Sequence, residues 1–183
     1  MIIEGSDRNH NISQLAINKG QMQVNTASAF HKASLRGDAF MWNAVAYNSG
    51  ADETLITVRN LSPNRLLVIN RMYMYTDVEG IYDIHIQTVT TTFTTTGGAV
   101  IVGVNLNTSS NKVADADAIS DETAIAGQGT LILTLRTNEL TTDQFGIGFQ
   151  TNDAIVLGTN GRIAIDSSAA AATCDATITG YFI

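Results

Sequence analysis

Short apolar runs in which every second residue is apolar recur along most of this chain. The clearest run ends the chain, where Ala172, Cys174, Ala176, Ile178 and Phe182 alternate with mainly polar residues. Side chains of a strand point alternately to two faces, so such alternation predicts half-buried β-strands. Similar patterns at 54–59, 82–87, 99–104, 130–136 and 145–149 bring the total to about eight to ten strands without crossover helices. The sequence therefore predicts an all-β fold, an antiparallel β-sandwich of the jelly-roll type.

The first 39 residues lack this alternation and are predicted to form an irregular N-terminal arm ahead of a sandwich domain at 40–183. Ile12, Leu15, Ala16 and Lys19 have a spacing that predicts one or two helical turns, which Gly20 would end. Residues 21–38 show no clear period. A terminal segment without its own core is mobile unless it is tied down. We therefore expect the arm to dock on a neighbouring molecule or on an edge of its own domain.

The segment 66–77 is the longest apolar strand candidate, and both of its faces are apolar. Strict alternation would place Leu67, Ile69, Tyr73 and Tyr75 on one face and Leu66, Val68, Met72 and Met74 on the other. This predicts a central strand that is covered on two sides.

Turn and loop signals separate the other strand candidates. Asn160 and Gly161 stand between apolar runs, which predicts a two-residue type I′ hairpin. The polar stretch 105–120 is predicted to form a long loop with a helical turn. The threonine-rich stretch 88–96 is predicted to be an exposed strand or loop.

Charge is sparse and acidic. Charged residues make up 15% of the chain against about 25% in ordinary domains, which suggests a surface covered by copies of the chain or by a partner. The net charge of −7 and only ten Lys and Arg residues disfavour nucleic-acid binding. No apolar run approaches the ~18 residues of a membrane span. The N-terminal residues do not resemble a secretory signal.

Three groups could in principle carry chemistry. Asp83 and His85 share one strand face and could form a catalytic or metal-binding pair, although a solvated face is the favoured interpretation. A flexible acidic loop could bind Ca²⁺, but its spacing departs from known calcium loops; its members are Asp115, Asp117, Asp121 and Glu122. The single cysteine, Cys174, is expected to be a small core residue.

The aromatic residues leave more than one interpretation open. Trp42, with Phe40 and Tyr47, is expected in the core rather than in a sugar-stacking platform. Tyr73 and Tyr75 could belong to the core or to an interface. Known nucleophile, zinc and phosphate-loop motifs are absent from the sequence. We therefore expect a non-enzymatic protein without a catalytic residue, a cofactor or a metal ion.

Several segments together resemble a group of tailed-bacteriophage virion proteins, the capsid decoration or cement type. They are GDAF at 37–40, TVRNLS at 57–62, LVI at 67–69, VGVNLN at 102–107, DET at 121–123, AIVLG at 154–158 and GYF at 180–182. The resemblance covers most of 37–183 and little of the arm.

The resemblance implies a jelly-roll-like virion structural protein, often a homotrimer, that clamps neighbouring subunits of the major capsid protein from the outer surface of the head. The acidic charge suits a surface away from packaged DNA. Two alternatives remain open: a receptor-binding or fibre-type domain that recognises a host surface glycan, and a sandwich hydrolase.

Overall fold

A computed structural model describes residues 2–6, 12–18, 21–49, 53–76, 80–87, 98–122, 129–137, 145–167 and 172–183. The N-terminal elements are β1 (Ile2–Ser6), β2 (Ile12–Asn18), β3 (Gln21–Thr26) and α1 (Ala29–Arg36). They are followed by β4 (Ala39–Ser49), β5 (Glu53–Asn60), β6 (Leu67–Thr76), β7 (Gly80–Gln87), β8 (Ala99–Ile101) and β9 (Val104–Asn105). The last are β10 (Ala116–Glu122), β11 (Thr130–Thr137), β12 (Phe145–Leu157), β13 (Arg162–Ser167) and β14 (Ala172–Phe182).

Two antiparallel sheets form the sandwich, as the alternation predicted. One sheet has the strand order β11-β7-β13-β5-β10-β8, and the other has the order β12-β6-β14-β4-β9. Their facing sides share one core, in which Trp42, Ile56, Met72, Ile84 and Ile178 are completely buried. The prediction of an all-β sandwich is therefore confirmed.

The strand pairs of the sandwich are nested along the chain. β4 pairs with β14, β5 with β13, β6 with β12 and β7 with β11. Successive pairs alternate between the five-stranded and the six-stranded sheet. The short strands β8 and β9 and the strand β10 come between β7 and β11 in the chain, and they extend both sheets beyond β5 and β4.

The N-terminal residues are more regular than the sequence suggested. β1, β2 and β3 pair antiparallel as a three-stranded sheet, so the helical turns predicted around 12–19 are wrong for residues 12–18, which form a strand. The only helix among the described residues is α1. It lies within 21–38, a stretch whose sequence shows no clear period. Ser28 caps its start by accepting a hydrogen bond from the backbone N–H of His31, and Gly37 ends it with φ 73°.

Helix α1 packs on the outer face of the five-stranded sheet. Ala33 is completely buried against Ala39, Val68 and Tyr181. The ring of Phe30 meets that of Tyr181 edge to face, with centroids 6.0 Å apart. β6 is therefore covered on both sides near Val68, as its apolar sequence predicted, while Tyr73 further along the strand is 44% exposed.

The predicted assignment of faces within β6 is wrong. Leu67 and Ile69 share the core face with Met72 and Met74, and all four are completely buried. The consecutive residues Thr179 and Gly180 of β14 pair with Arg71 and Ile69 of β6, so Asn70 is an extra residue in this ladder. A bulge of this kind inserts one residue and reverses the alternation beyond it.

The turn at Asn160 and Gly161 is also not the predicted hairpin. β12 and β13 belong to different sheets, so the turn carries the chain from one sheet to the other. The N–H of Gly161 donates to Gly158 O at 2.8 Å, and Asn160 alone of the four turn residues has a positive φ, 62°. Thr159 and Asn160 are therefore the central residues, which excludes a type I′ turn.

Other predictions have mixed outcomes. Residues 116–120, predicted as part of a loop, belong to strand β10. The threonine-rich stretch 88–96 lies outside the described residues. Cys174 is buried, and the Tyr82 hydroxyl donates a hydrogen bond to its Sγ at 3.9 Å. Phe40 and Trp42 are core residues, as predicted, and β14 ends the chain as a paired strand between β4 and β6.

Candidate functional site

An apolar surface runs along the side of the sandwich where β8 and β9 lie. We call it the valine edge and define it as Val100, Val102, Val104, Val113 and Leu35. Their exposed fractions are 78%, 73%, 63%, 75% and 68%, the five highest of the large hydrophobic residues that the structure describes. Scattered apolar residues on a surface are ordinary, whereas a contiguous group indicates an interaction site.

Backbone geometry explains why three of these valines point outward. Val100, Val102 and Val104 alternate with Ile101, which packs against the core, and with Gly103. A Cβ on Gly103 would lie 2.6 Å from the Trp42 indole nitrogen. The chain therefore passes close to the core as it crosses from one sheet to the other, and the intervening valines face away.

The other two members of the valine edge lie close to this crossing. The same hypothetical Cβ of Gly103 would be 2.9 Å from the Cβ of Ala114, so Val113 is one residue away from the point where the two segments meet. Asn107 Nδ2 donates to Leu35 O at 2.9 Å, so the segment after β9 is tied to the end of α1. Burial of each valine by a partner would contribute roughly 1–2 kcal/mol.

The segment that forms most of the valine edge has no acidic residue. Residues 98–114 contain one lysine and no aspartate or glutamate, although the whole chain has 17 acidic residues. The lysine, Lys112, is paired with Asp38, with 2.8 Å between Nζ and Oδ1. This side of the sandwich can therefore approach another acidic molecule without the repulsion that other surfaces would meet.

Asp38 is the centre of an ion-pair network beside the valine edge. Its carboxylate is 12% exposed and lies 3.4 Å from Arg36 Nε, 3.4 Å from Arg65 NH1 and 2.8 Å from Lys112 Nζ. The guanidinium of Arg65 also lies 4.6 Å above the Phe182 ring. These contacts join the end of α1, the β5–β6 turn, the loop after β9 and the C-terminal strand. They hold the backbone that carries Leu35 and Val113.

The outer face of the six-stranded sheet holds a second polar group. His85 Nε2 lies 3.2 Å from Asp166 Oδ2, and Asp166 Oδ1 accepts a hydrogen bond from Thr54. Asp83 instead accepts from Thr134 at 2.5 Å. The side chain of His85 is only 14% exposed, so the expectation of a solvated face is wrong for His85. Asp166 was not identified from the sequence because it reaches His85 only through the pairing of β13 with β7.

The arrangement around His85 does not reproduce a nucleophile activated by a base. A serine or threonine nucleophile requires its hydroxyl to be hydrogen-bonded to the imidazole. Thr54 donates to Asp166, and His85 Nδ1 has no hydrogen-bond partner among the described residues. The Asp83 and His85 pair considered from the sequence is separated into two different contacts.

Two arginines lie on the same outer face, one strand apart. Arg59 forms a two-contact ion pair with Asp117, and this hydrogen bonding raises the pKa of Arg59. Arg162 donates to Gln87. Burial, together with the positive charge of Arg59, lowers the pKa of Arg162 to about 10, so Arg162 remains charged at neutral pH.

The acidic residues considered as calcium ligands do not converge in the described part. Asp115 lies 3.5 Å from Arg65, and Asp117 pairs with Arg59. The side chains of Asp121 and Glu122 lie outside the described set. No group of three or more His, Cys, Asp or Glu side chains is placed to hold a metal ion among the described residues.

A third surface lies on the outer face of the five-stranded sheet. Tyr73 is paired with Gly148 on one side and Thr177 on the other, and Tyr75 is paired in the same way with Gly146 and Asp175. We call the two tyrosines and two glycines the tyrosine ledge. Because glycine has no side chain, the residue opposite each tyrosine on β12 presents only backbone. Tyr73 and Tyr75 therefore lie outside the core, an outcome that the sequence left open.

Comparison with protein-family models, with curated proteins and with solved structures finds no match for this chain. None of the helical backbone in the described ranges is long and apolar enough to span a membrane.

Proposed function

We propose that this chain is a bacteriophage virion structural protein, a decoration or cement protein that binds the outer surface of the head. In this role it would stabilise neighbouring subunits of the major capsid protein without catalysing a reaction. It would act as a homo-oligomer, most simply a homotrimer.

The nested strand pairing is the observation that carries this proposal. The pairs β4–β14, β5–β13, β6–β12 and β7–β11 alternate between two sheets, and this nesting supports our proposal that the sandwich is a jelly roll. Viral capsid domains are built on this architecture, as are lectin domains and cupins. Architecture alone does not establish function, so surface chemistry has to distinguish these classes.

The surface chemistry supports assembly. The most exposed apolar residues of the described part lie together on the valine edge, and the chain as a whole is poor in charge. A net charge of −7 suits a protein on the outside of a particle, away from the DNA within. These properties favour a structural role over a lone enzyme.

Binding to capsids tests the proposal directly. Purified protein is mixed with heads that lack it, and bound protein is measured by co-sedimentation and located by cryo-electron microscopy. We expect saturable binding on the outer surface, and weaker binding when residues 1–26 are deleted, because the arm is expected to reach a neighbouring subunit. A protein that remains monomeric at micromolar concentration and binds no capsid contradicts the proposal.

A second candidate function, recognition of a host surface glycan by a receptor-binding domain, is favoured by the tyrosine ledge. An exposed aromatic ring next to bare backbone can stack on the apolar face of a sugar ring. Neutral hydrogen-bonding groups lie close by: Thr177 is paired with Tyr73 and donates to Asn43 Oδ1 at 2.7 Å. Specific sites combine such apolar contact with a few placed polar groups.

A glycan array tests this second candidate. If the ledge binds sugar, the intact protein retains a defined set of glycans, and Tyr73→Ala weakens binding at least tenfold. Val156→Ala, on the edge strand of the same sheet, serves as the matched control and leaves binding unchanged. Absence of glycan binding by the intact protein excludes this function and leaves the capsid proposal unaffected.

A further inference from the structure

We infer that the valine edge is the contact between copies of this chain, with the edges of three copies meeting at a threefold axis. The inference deepens the proposed function, on whose homotrimer it rests, because it names the surface through which the copies associate. Three properties of this surface support it.

The first property is the concentration of exposed apolar side chains. The five members of the valine edge are the most exposed large hydrophobic residues that the structure describes. Four of them are valines within residues 100–113, and three alternate along one extended segment. Val100 lies in β8 of one sheet and Val104 in β9 of the other, so these short side chains follow the crossing between the sheets, where no bulky side chain would keep a neighbouring backbone away.

The second property is charge. Each copy carries a net charge of −7, and like charges are brought closest together at a symmetry axis. The surface at that axis should therefore carry little unpaired negative charge. Residues 98–114 contain no acidic residue, and nearby acidic side chains that the structure describes are paired with cations: Asp38 with Lys112, Asp115 with Arg65 and Asp117 with Arg59. The centre of a protein interface is typically depleted of charge, with a polar rim around it.

The third property is area. Burying a fully exposed aliphatic side chain contributes about 1.5–3 kcal/mol. At about 25 cal/mol per Å² of apolar surface, this energy corresponds to roughly 60–120 Å² for each side chain. At the observed exposure the five members would bury about 200–400 Å² per copy. A stable interface buries about 800 Å² per partner, so the valine edge would supply its apolar centre. The uncharged residues of 105–111 adjoin it and would supply the rim.

The open edge of β8 adds backbone groups to this surface. β8 is hydrogen-bonded to β10 on one side, and no strand pairs with its other side among the described residues. An unpaired strand edge offers N–H and C=O groups to a neighbouring chain. Contact between copies would cover both the apolar side chains and these backbone groups.

Sedimentation equilibrium over a range of protein concentrations tests the inference on the full chain. The intact protein should form a trimer at micromolar concentration, and Val102→Asp should weaken association at least tenfold. Val102 is exposed and lies between β8 and β9, so the substitution leaves the core intact. The matched control is Val156→Asp on β12, the opposite edge strand of the five-stranded sheet, which should change association less than twofold.

A second variant guards against a general effect of added charge. Val100→Thr combined with Val102→Thr keeps the side-chain shape and strand preference but removes the apolar surface, and it should also weaken association. Circular dichroism verifies that each variant retains the fold.

Three outcomes would overturn the inference, and capsid co-sedimentation distinguishes them from failure of the proposed function. The first is an intact protein that is monomeric throughout, and the second is a pair of edge variants that associate like the intact chain. Capsid binding in either case leaves the decoration role standing. The third is an edge variant that stays trimeric but no longer binds capsids, which assigns the valine edge to the capsid protein instead.

Discussion

At the scale of single residues, the position of a residue on its strand and the neighbours of that strand together determine what its side chain contacts. Cys174 and Trp42 were expected in the core from their neighbours in sequence, and both are completely buried. Asp166 could not be assigned a role in the same way, because its contact with His85 depends on the register between β13 and β7. Strand alternation determines which face a side chain occupies, whereas its partner depends on which strands become neighbours.

The turn at 158–161 shows the same limit. Asn-Gly between apolar runs is a strong hairpin signal, yet here β12 and β13 pair with different strands and the turn connects two sheets. Asn160 provides the positive φ. Gly161 is required for another reason, since a Cβ there would lie 2.9 Å from Gly158 O.

Substitution of the two glycines of this turn provides a matched comparison. Gly161→Ala should lower the free energy of unfolding by about 1–3 kcal/mol, the usual cost of forcing atoms into a packed site. The backbone must shift, which disturbs the hydrogen bond from Asn60 N to Gly161 O, 2.9 Å long. Gly158→Ala should be neutral or stabilise by up to ~1 kcal/mol, because a Cβ there meets nothing within 4 Å. Urea denaturation measures both, and equal effects would contradict the assignment.

At the scale of elements, the period of two identified most strands of the sandwich but not its irregularities. The extra residue Asn70 reverses the faces of β6, and nothing in the local sequence marks it. Helix α1 has only eight residues, too few for its period to stand out. Its start and end depend on Ser28 and Gly37, which are recognisable as caps once the helix is known.

The loops at the α1 end of the sandwich are held by polar contacts that join distant parts of the chain. Asp38 meets cations from three segments. Asn60 Nδ2 donates to Arg65 O and to Leu157 O, both at 2.9 Å. Three of these contacts, from Asp38 to Arg65, from Asp38 to Lys112 and from Asn60 to Leu157, bridge residues far apart in sequence, so composition could not reveal them. The polar loop 105–115 is held beside the valine edge by the pair of Lys112 with Asp38 and by the hydrogen bond from Asn107 to Leu35 O.

At the scale of the whole molecule, fold class followed from the sequence and the sites did not. Repeated alternation with few helical signals leads to a sandwich. The nested pairing depends on contacts between strands far apart in the chain, such as β4 and β14, and the valine edge depends on the crossing near Gly103. Sparse charge led only to the expectation that a partner covers some surface, and the valine edge is the surface that we propose for it.

Two truncations test how the N-terminal residues are divided between the sandwich and the arm. Strands β1, β2 and β3 pair with one another, so deletion of residues 1–26 should leave the free energy of unfolding of the sandwich nearly unchanged. This truncation retains Ser28, the N-cap of α1. Deletion of residues 1–36 removes α1 as well and uncovers Ala39, Val68 and Tyr181.

Exposure of that apolar surface and the loss of Phe30 and Ala33 should destabilise the sandwich by about 2–4 kcal/mol, at roughly 1.5–3 kcal/mol for each fully buried large side chain. Urea denaturation followed by circular dichroism compares the two truncations with the intact chain. If both lose stability equally, the three-stranded sheet contributes to the sandwich. If neither loses stability, α1 does not stabilise the sandwich, and the domain would start at β4, where the sequence alternation begins.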